Sequence, residues 1–416
     1  MTTATMQPVF EDLGGGGRIA GVCAPGFSGV IDAFRANFDH RDEVGASVCL
    51  RRGDAVLVDL WGGIARPADA SGDEPASPWS RDTIGIVYSC TKGATALCLH
   101  HLIDRGAITP DTLIADLWPE FAAGGKAATT VAMMLCHTSP VPHLRDPIPP
   151  GGLIDFDMMV GRVAAEEAFW EPGTRQGYHA LTYAWTVGNL VRIVSGKPLG
   201  RYFAEEIAGP LGLDFHIGLP QAHEHRVAPM IAPDRAEIDF TSRFFRTATQ
   251  VPGSLPNLFL FNQGGADFNA REIHAAEIGS ANGMTNARGL AGMYAALAGG
   301  GGLISSDTLA RMGRVCAATL DDATLMQSMR FAMGFMASTD NRASGGDSLL
   351  IGESAFGHVG MGGSVGFVDP AAGIGFGYTM NRMGPGILLN ARGQSLVDAA
   401  YRALGWSSHA SGAWRP

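Results

Sequence analysis

The sequence predicts a mixed α/β fold in which an antiparallel sheet is assembled from both ends of the chain and an all-helical part is inserted between them. Three observations carry this expectation. Residues 45–50 and 55–61 are apolar runs flanking Arg51-Arg52-Gly53-Asp54, the pattern of a β-hairpin. Residues 364–368 and 373–380 form a second pair around Asp369-Pro370-Ala371-Ala372. From residue 86 to about 245 the chain instead shows helical spacing with short turns and little alternation. Residues 1–85 and 286–416 are therefore assigned to the sheet lobe and 86–285 to the helical lobe, with an active site expected between them.

Taken in order, Gly14 to Gly17 read as a flexible lead-in, and Val30, Ile31, Phe34 and Phe38 place a helix over residues 27–42. A polar, proline-bearing loop at 67–80 leads to residues 92–103. That stretch of small residues and leucines has no proline and predicts a buried helix. Short helices are expected at 130–136, 181–194 and 199–208, the second stopped by Ser195-Gly196-Lys197-Pro198. Residues 252–267 read as a long irregular segment rich in apolar side chains, and such segments are usually functional or mobile. A small-residue helix over 286–298 runs into Gly299 to Gly302, a strand is expected at 332–337, and an amphipathic helix at 394–404 closes the chain.

The chain has 416 residues, 46% hydrophobic and 17% charged, which describes a globular protein with a large core. A net charge of -10 without a Lys/Arg cluster argues against nucleic acid and anionic membranes as partners. No run approaches the length of a membrane span, and Met1 to Gly17 lacks the basic start and apolar core of a signal peptide, so a cytoplasmic location is expected. Cys23, Cys49, Cys90, Cys98, Cys136 and Cys316 are scattered with no paired spacing and read as small buried residues rather than disulfides or zinc ligands. His223-Glu224-His225 and His100-His101 lack zinc-site spacing, and no phosphate-cradling glycine motif is present, so neither metal nor organic cofactor is expected.

The candidate chemistry centres on Ser89-Cys90-Thr91-Lys92. A three-residue offset at a helix start lets the Lys92 amine reach the Ser89 hydroxyl, and a neutral amine can take the serine proton as the oxygen attacks a carbonyl. Lowering a lysine pKa from ~10.4 to about 7 costs on the order of 4–5 kcal/mol, which burial must supply. The chain has only three lysines, Lys92, Lys126 and Lys197, yet roughly one sequence in six of this make-up would hold such a pair by chance, so further elements are needed. Tyr178 follows a Pro/Gly loop and precedes a helix, placed to act with a cationic lysine as base or proton relay. His179 reads as structural or as a support behind the residues that do chemistry. In Gly357-His358-Val359-Gly360-Met361-Gly362-Gly363-Ser364 the glycines allow a strand edge to approach a ligand and offer an N–H to a developing oxyanion. Gly362 to Gly366 also matches the G-x-S-x-G elbow, but strand follows Ser364 where that motif needs a helix.

Together and in this order, these elements resemble the serine β-lactamase and penicillin-binding-protein superfamily, on its class C-like and family VIII carboxylesterase side. Ser89 to Lys92 stand as the SxxK box, Tyr178-His179-Ala180 as the tyrosine box, and His358-Val359-Gly360 where lactamases have Lys-Thr-Gly. The resemblance implies a β-lactamase-like fold with Ser89 as acylated nucleophile and Lys92 with Tyr178 as base and relay. It further implies the N–H groups of Ser89 and Met361 as oxyanion hole, and His358 with Gly360 in the substrate-binding third motif. Two departures weigh on substrate. Ala180 stands where lactamases usually carry an Asn that holds the substrate amide, and His358, neutral for most molecules at pH 7, replaces the Lys that meets the lactam carboxylate.

The reading is a serine hydrolase that forms an acyl-enzyme on small, short-chain carboxylic esters, with Phe259, Phe261 and Trp185 as candidate lining. Its rivals are an amide or lactam hydrolase, an acyltransferase, and a non-catalytic relative that binds cell-wall peptide or forms a scaffold.

Overall fold

The computed structural model describes residues 5–68, 75–299 and 302–416. Ten strands build the main sheet: β1 (Gln7–Gly14), β2 (Gly17–Cys23), β3 (Gly45–Arg52), β4 (Ala55–Arg66), β5 (Ala317–Thr319), β6 (Met329–Ala332), β7 (Phe335–Ala337), β8 (Phe356–Val359), β9 (Val365–Asp369) and β10 (Ile374–Met380). Their order is β1-β2-β4-β3-β10-β9-β8-β7-β6-β5, every neighbour is antiparallel, and a two-residue strand, Ser77–Pro78, pairs with β4. The joint between the two ends of the chain is β3 against β10, with Val48 opposite Tyr378. Sheet from both termini is thus what the fold contains.

Seven helices frame the site: α1 (Ser28–His40), α2 (Thr91–Asp104), α3 (Tyr183–Ser195), α4 (Arg243–Gln250), α5 (Leu255–Phe261), α6 (Ala287–Ala298) and α7 (Ala391–Ala403). Strand alternation sorts them. Val48, Leu50, Phe376 and Tyr378 share a buried cluster with Val30 and Phe34 of α1 and Leu396 and Val397 of α7, whereas Cys49 clusters with Ala287 and Ala291 of α6. Helix α6 lies close on β10 because two glycines make room. A Cβ at Gly375 would stand 2.2 Å from Ala295 N, and one at Gly377 2.4 Å from Ala287 O. Helix α2 is buried from Thr91 to Ile103 and packs on α3, which ends at Gly196 in the left-handed region.

The structure corrects four expectations. Gly14 to Gly17 are no loose lead-in but the turn of the β1–β2 hairpin, Gly14, Gly15 and Gly16 all at positive φ. Residues 252–267 contain α5, capped by the Ser254 hydroxyl on Asn257 N with a proline in the first turn. The strand expected at 332–337 is two, β6 and β7, turned at Met333-Gly334. Cys136 and Cys316 form a disulfide across 180 positions, whereas Cys23, Cys49, Cys90 and Cys98 are free and buried. Parts of the 67–80 loop and of the glycine run after α6 (residues 69–74, 300 and 301) lie outside the described residues. Among the described residues no helix is long and apolar enough to cross a membrane.

Candidate active site

Ser89 stands in the turn that opens α2, partly exposed among buried neighbours. Tyr88, before it, is held at φ 41, a left-handed conformation that costs a non-glycine residue on the order of 1–3 kcal/mol and persists only where the surroundings enforce it. Thr91 enforces it. Its hydroxyl donates to Tyr88 O at 2.6 Å and accepts Gly283 N–H at 2.7 Å, while Val87 N–H reaches Gly283 O at 2.9 Å.

Lys92, one turn into α2, has no exposed surface. Its Nζ lies 3.1 Å from Ser89 Oγ, 2.8 Å from Ala180 O and 2.9 Å from Ser280 O. Burial drives its pKa well below the ordinary lysine value, and among the described residues it makes no salt bridge. A neutral amine satisfies all three contacts: two N–H bonds go to the two carbonyls, and the lone pair is left for the Ser89 O–H.

Tyr178 is buried, with its ring 4.8 Å from Lys92 Nζ and its phenol near enough to Ser89 for the serine hydroxyl to act on its pKa. Its ring stacks with Phe331 (8°, centroids 6.1 Å apart) and lies 5.0 Å from the His137 ring and 6.4 Å from Phe259. Here the expectation of a readily ionised phenol fails. Burial pushes the Tyr178 pKa upward, outweighing the influence of the Ser89 hydroxyl, and the nearby Cys90 and Asp322 act in the same direction as burial. Tyr178 is thus a protonated donor.

His358 lies on β8, fully enclosed, its ring 6.1 Å from that of Tyr178. Nδ1 pairs with Val359 O at 2.7 Å, and Nε2 is buried without a partner among the described residues. Burial, then the proximity of Lys92, lowers its pKa to about 3, so the imidazole is neutral. Gly360 is obligatory in size, since a Cβ there would meet Ser364 Oγ at 2.2 Å and Val87 O at 2.3 Å. It draws the strand end against the Ser89 turn. The N–H groups of Ser89 and of Met361, which follows Gly360, bond to no acceptor among the described residues.

Other candidates fall elsewhere. Ser364 is fully buried and donates to Val87 O at 3.1 Å. His179 is structural, tied to Ser139 Oγ and Gly177 O at 2.7 Å each. His100 and His101 bond Met333 O and Tyr202 OH. Phe259 packs beside Tyr178, but Trp185 is enclosed in the helical core and Phe261 is 62% exposed. Sequence reasoning missed the carbonyls of Ala180 and Ser280, for which no side-chain signal exists, and Asp322, whose Oδ1 accepts Tyr178 N–H at 3.0 Å.

Residues 31–400 match the sequence profile of the family described as Beta-lactamase. The chain is 34% identical over 382 residues to the esterase/beta-lactamase LipL of Mycobacterium tuberculosis, a match covering 88% of this chain and 84% of that protein. A crystal structure of a family VIII carboxylesterase is similar at a TM-score of 0.80 and 38% identity, covering 92% of this chain and 99% of that one. A penicillin-binding-protein homologue from Caulobacter crescentus is similar at a TM-score of 0.80 and 32% identity, with 92% and 99% covered.

Proposed function

This chain belongs to the beta-lactamase family and is a hydrolase of the beta-lactamase/esterase superfamily, and on that premise we propose that it is a serine carboxylesterase acting on short-chain esters through an acyl-enzyme. The observation that carries the proposal is the coordination of Lys92: its enclosed Nζ lies within hydrogen-bond distance of the Ala180 and Ser280 carbonyls and of Ser89 Oγ, so a neutral amine bonded to both carbonyls keeps its lone pair for the serine proton.

In this reading Ser89 Oγ attacks the ester carbonyl while its proton passes to Lys92 Nζ, and the carbonyl electron pair moves onto oxygen between the N–H groups of Ser89 and Met361. As the C–O bond to the alcohol breaks, the Tyr178 phenol gives its proton to the leaving alkoxide and takes one from the Lys92 ammonium. Water then attacks the acyl-Ser89 ester by the same path in reverse, releasing the acid and restoring the serine. His358 and Gly360 shape the third wall, with His358 as a neutral group.

Two features favour esters over lactams. Ala180 offers no side-chain amide to hold a substrate amide, and a neutral, buried His358 presents no charge to a lactam carboxylate. The names of the similar proteins, a family VIII carboxylesterase and an esterase/beta-lactamase, point the same way without choosing the substrate. The test is hydrolysis of p-nitrophenyl butyrate against a chromogenic cephalosporin, with mass spectrometry of a fluorophosphonate adduct. Butyrate turnover far above cephalosporin turnover, with the adduct on Ser89, is expected. An adduct on Ser364, or faster cephalosporin cleavage, overturns the reading.

A further inference from the structure

Three consecutive backbone N–H groups around Tyr178 are each claimed from outside their own loop. Gly177 N–H goes to His137 O at 3.0 Å, Tyr178 N–H to Asp322 Oδ1 at 3.0 Å, and His179 N–H to His137 Nδ1 at 3.2 Å. His137 is itself held at φ 59, left-handed, directly after disulfide-bonded Cys136. On the other side, Asp322 has no exposed surface and makes no salt bridge among the described residues. Its Oδ1 also accepts Thr324 N–H and Leu325 N–H at 2.9 Å each, and Oδ2 accepts Gln176 Nε2–H at 3.3 Å. Gln176 O in turn accepts Ala323 N–H at 3.0 Å.

A buried carboxylate with no cation is costly unless donors surround it, and a hydrophobic or neutral residue would close a surface turn at less expense. Among the described residues the only distant groups it binds are Tyr178 and Gln176, two residues apart on one loop. Placement of the phenol is what the arrangement secures.

We propose that Asp322 is a positioning residue for the proton relay, fixing the backbone of Tyr178 from one side while His137 fixes its neighbours from the other. The inference rests on the relay role of Tyr178 proposed above. A misplacement of about 1 Å in a reacting group can cost on the order of a hundredfold in rate, so the effect falls on kcat rather than on binding.

A double-mutant cycle with Tyr178→Phe, read on p-nitrophenyl butyrate, tests this. Asp322→Ala is expected to lower kcat by roughly 30- to 100-fold with KM within about threefold, and Asp322→Asn, whose amide oxygen can accept the same N–H groups, to recover most of the loss. In the Tyr178→Phe background Asp322→Ala should change kcat by less than about threefold, because the phenol it places is gone. If Asp322→Ala does not fold, Asp322→Glu, which keeps the acceptor but displaces it by a methylene, is read in the same cycle. Equal losses in both backgrounds, or no loss in either, overturn the positioning role while leaving the relay intact. Full activity of Tyr178→Phe alone would instead remove the relay, and this inference with it.

Discussion

The turns at Ser89 and Ser364 are neighbours, both fit a serine-nucleophile motif, and only Ser89 is partly open with an amine beside its hydroxyl. Ser364 is sealed. Its hydroxyl donates to Val87 O at 3.1 Å, and its only other hydrogen bond among the described residues comes from the Cys90 thiol at 3.7 Å. Ser89 is partly open, with an enclosed amine at 3.1 Å and the buried Tyr178 phenol near it. The difference teaches that a motif marks a residue type, whereas reactivity needs a base, an opening and an oxyanion site at the same point. Ser364 still serves the other serine, because the Val87 carbonyl it binds begins the turn that presents Ser89.

The two enclosed lysines repeat the lesson. Lys126 is as buried as Lys92 and also donates to two carbonyls, Ala123 O at 2.6 Å and Glu166 O. Its pKa is lowered by burial too, but the carboxylates of Glu166 and Glu167 work against that, and no hydroxyl meets it among the described residues. Burial lowers the pKa of both amines, and only Lys92 has a hydroxyl, that of Ser89, within hydrogen-bond distance among the described residues.

The comparison breaks most sharply at Ser89. Ser89→Ala and Lys92→Met should each lower kcat on the butyrate ester by roughly 10³-fold or more with the thermal melt retained, as for members of a catalytic unit that act together. A Ser89→Ala enzyme with substantial activity would move the chemistry elsewhere.

Next in size is the Cys136–Cys316 bond, which ties the His137 segment to the start of β5. Replacing both cysteines by serine should lower unfolding free energy by about 2–5 kcal/mol in denaturant titrations. An unchanged midpoint under oxidising conditions would show that the bond contributes nothing.

The pH profile sharpens the contrast between the neutral site and ordinary surface groups. The pKa values of His143 and His358 are lowered to about 3 and that of His179 to about 4, all mainly by burial, and His137 is lowered as well. Between those values and the usual 6.5 the unfolded chain binds protons the native one does not, so stability is lost as pH falls through that window and is complete above it. Each such histidine can contribute at most about 1.4 kcal/mol per pH unit. Activity should likewise rise with pH through the lowered Lys92 pKa, the neutral amine being the working form. Melts and initial rates between pH 4 and 8, approximate limits set by these shifts, check both. Flat stability there would contradict the buried, neutral histidines.

The smallest effect is expected at Ser364. Ser364→Ala removes one buried hydrogen bond and should cost about 1 kcal/mol of stability, with kcat within roughly threefold of the parent. A large kcat loss with normal stability would reverse the assignment of the two serines.

Much of this was legible before any coordinates. Helix α2 was readable because an unbroken run of small and leucine residues has few other stable forms, and the hairpin of β3 and β4 because apolar runs flank a glycine turn. The helix inside 252–267 was missed because Pro256 suggests a break, whereas at a first turn proline is tolerated. The β1–β2 hairpin was missed because four glycines suggest slack unless something pins the strands on either side, and here β4 pins β2.

Alone, the sequence determined the sheet from both termini, the buried helix, and Ser89, Lys92 and Tyr178 as a set, since periodicity and residue chemistry are local properties. Only tertiary structure decided that the Lys92 pKa is driven down and that of Tyr178 up, because those shifts follow from desolvation and from partners brought in from afar. Ser280 O comes from 188 positions away, Asp322 from 144 beyond Tyr178, and the disulfide closes 180. No local pattern encodes a distance across a folded core.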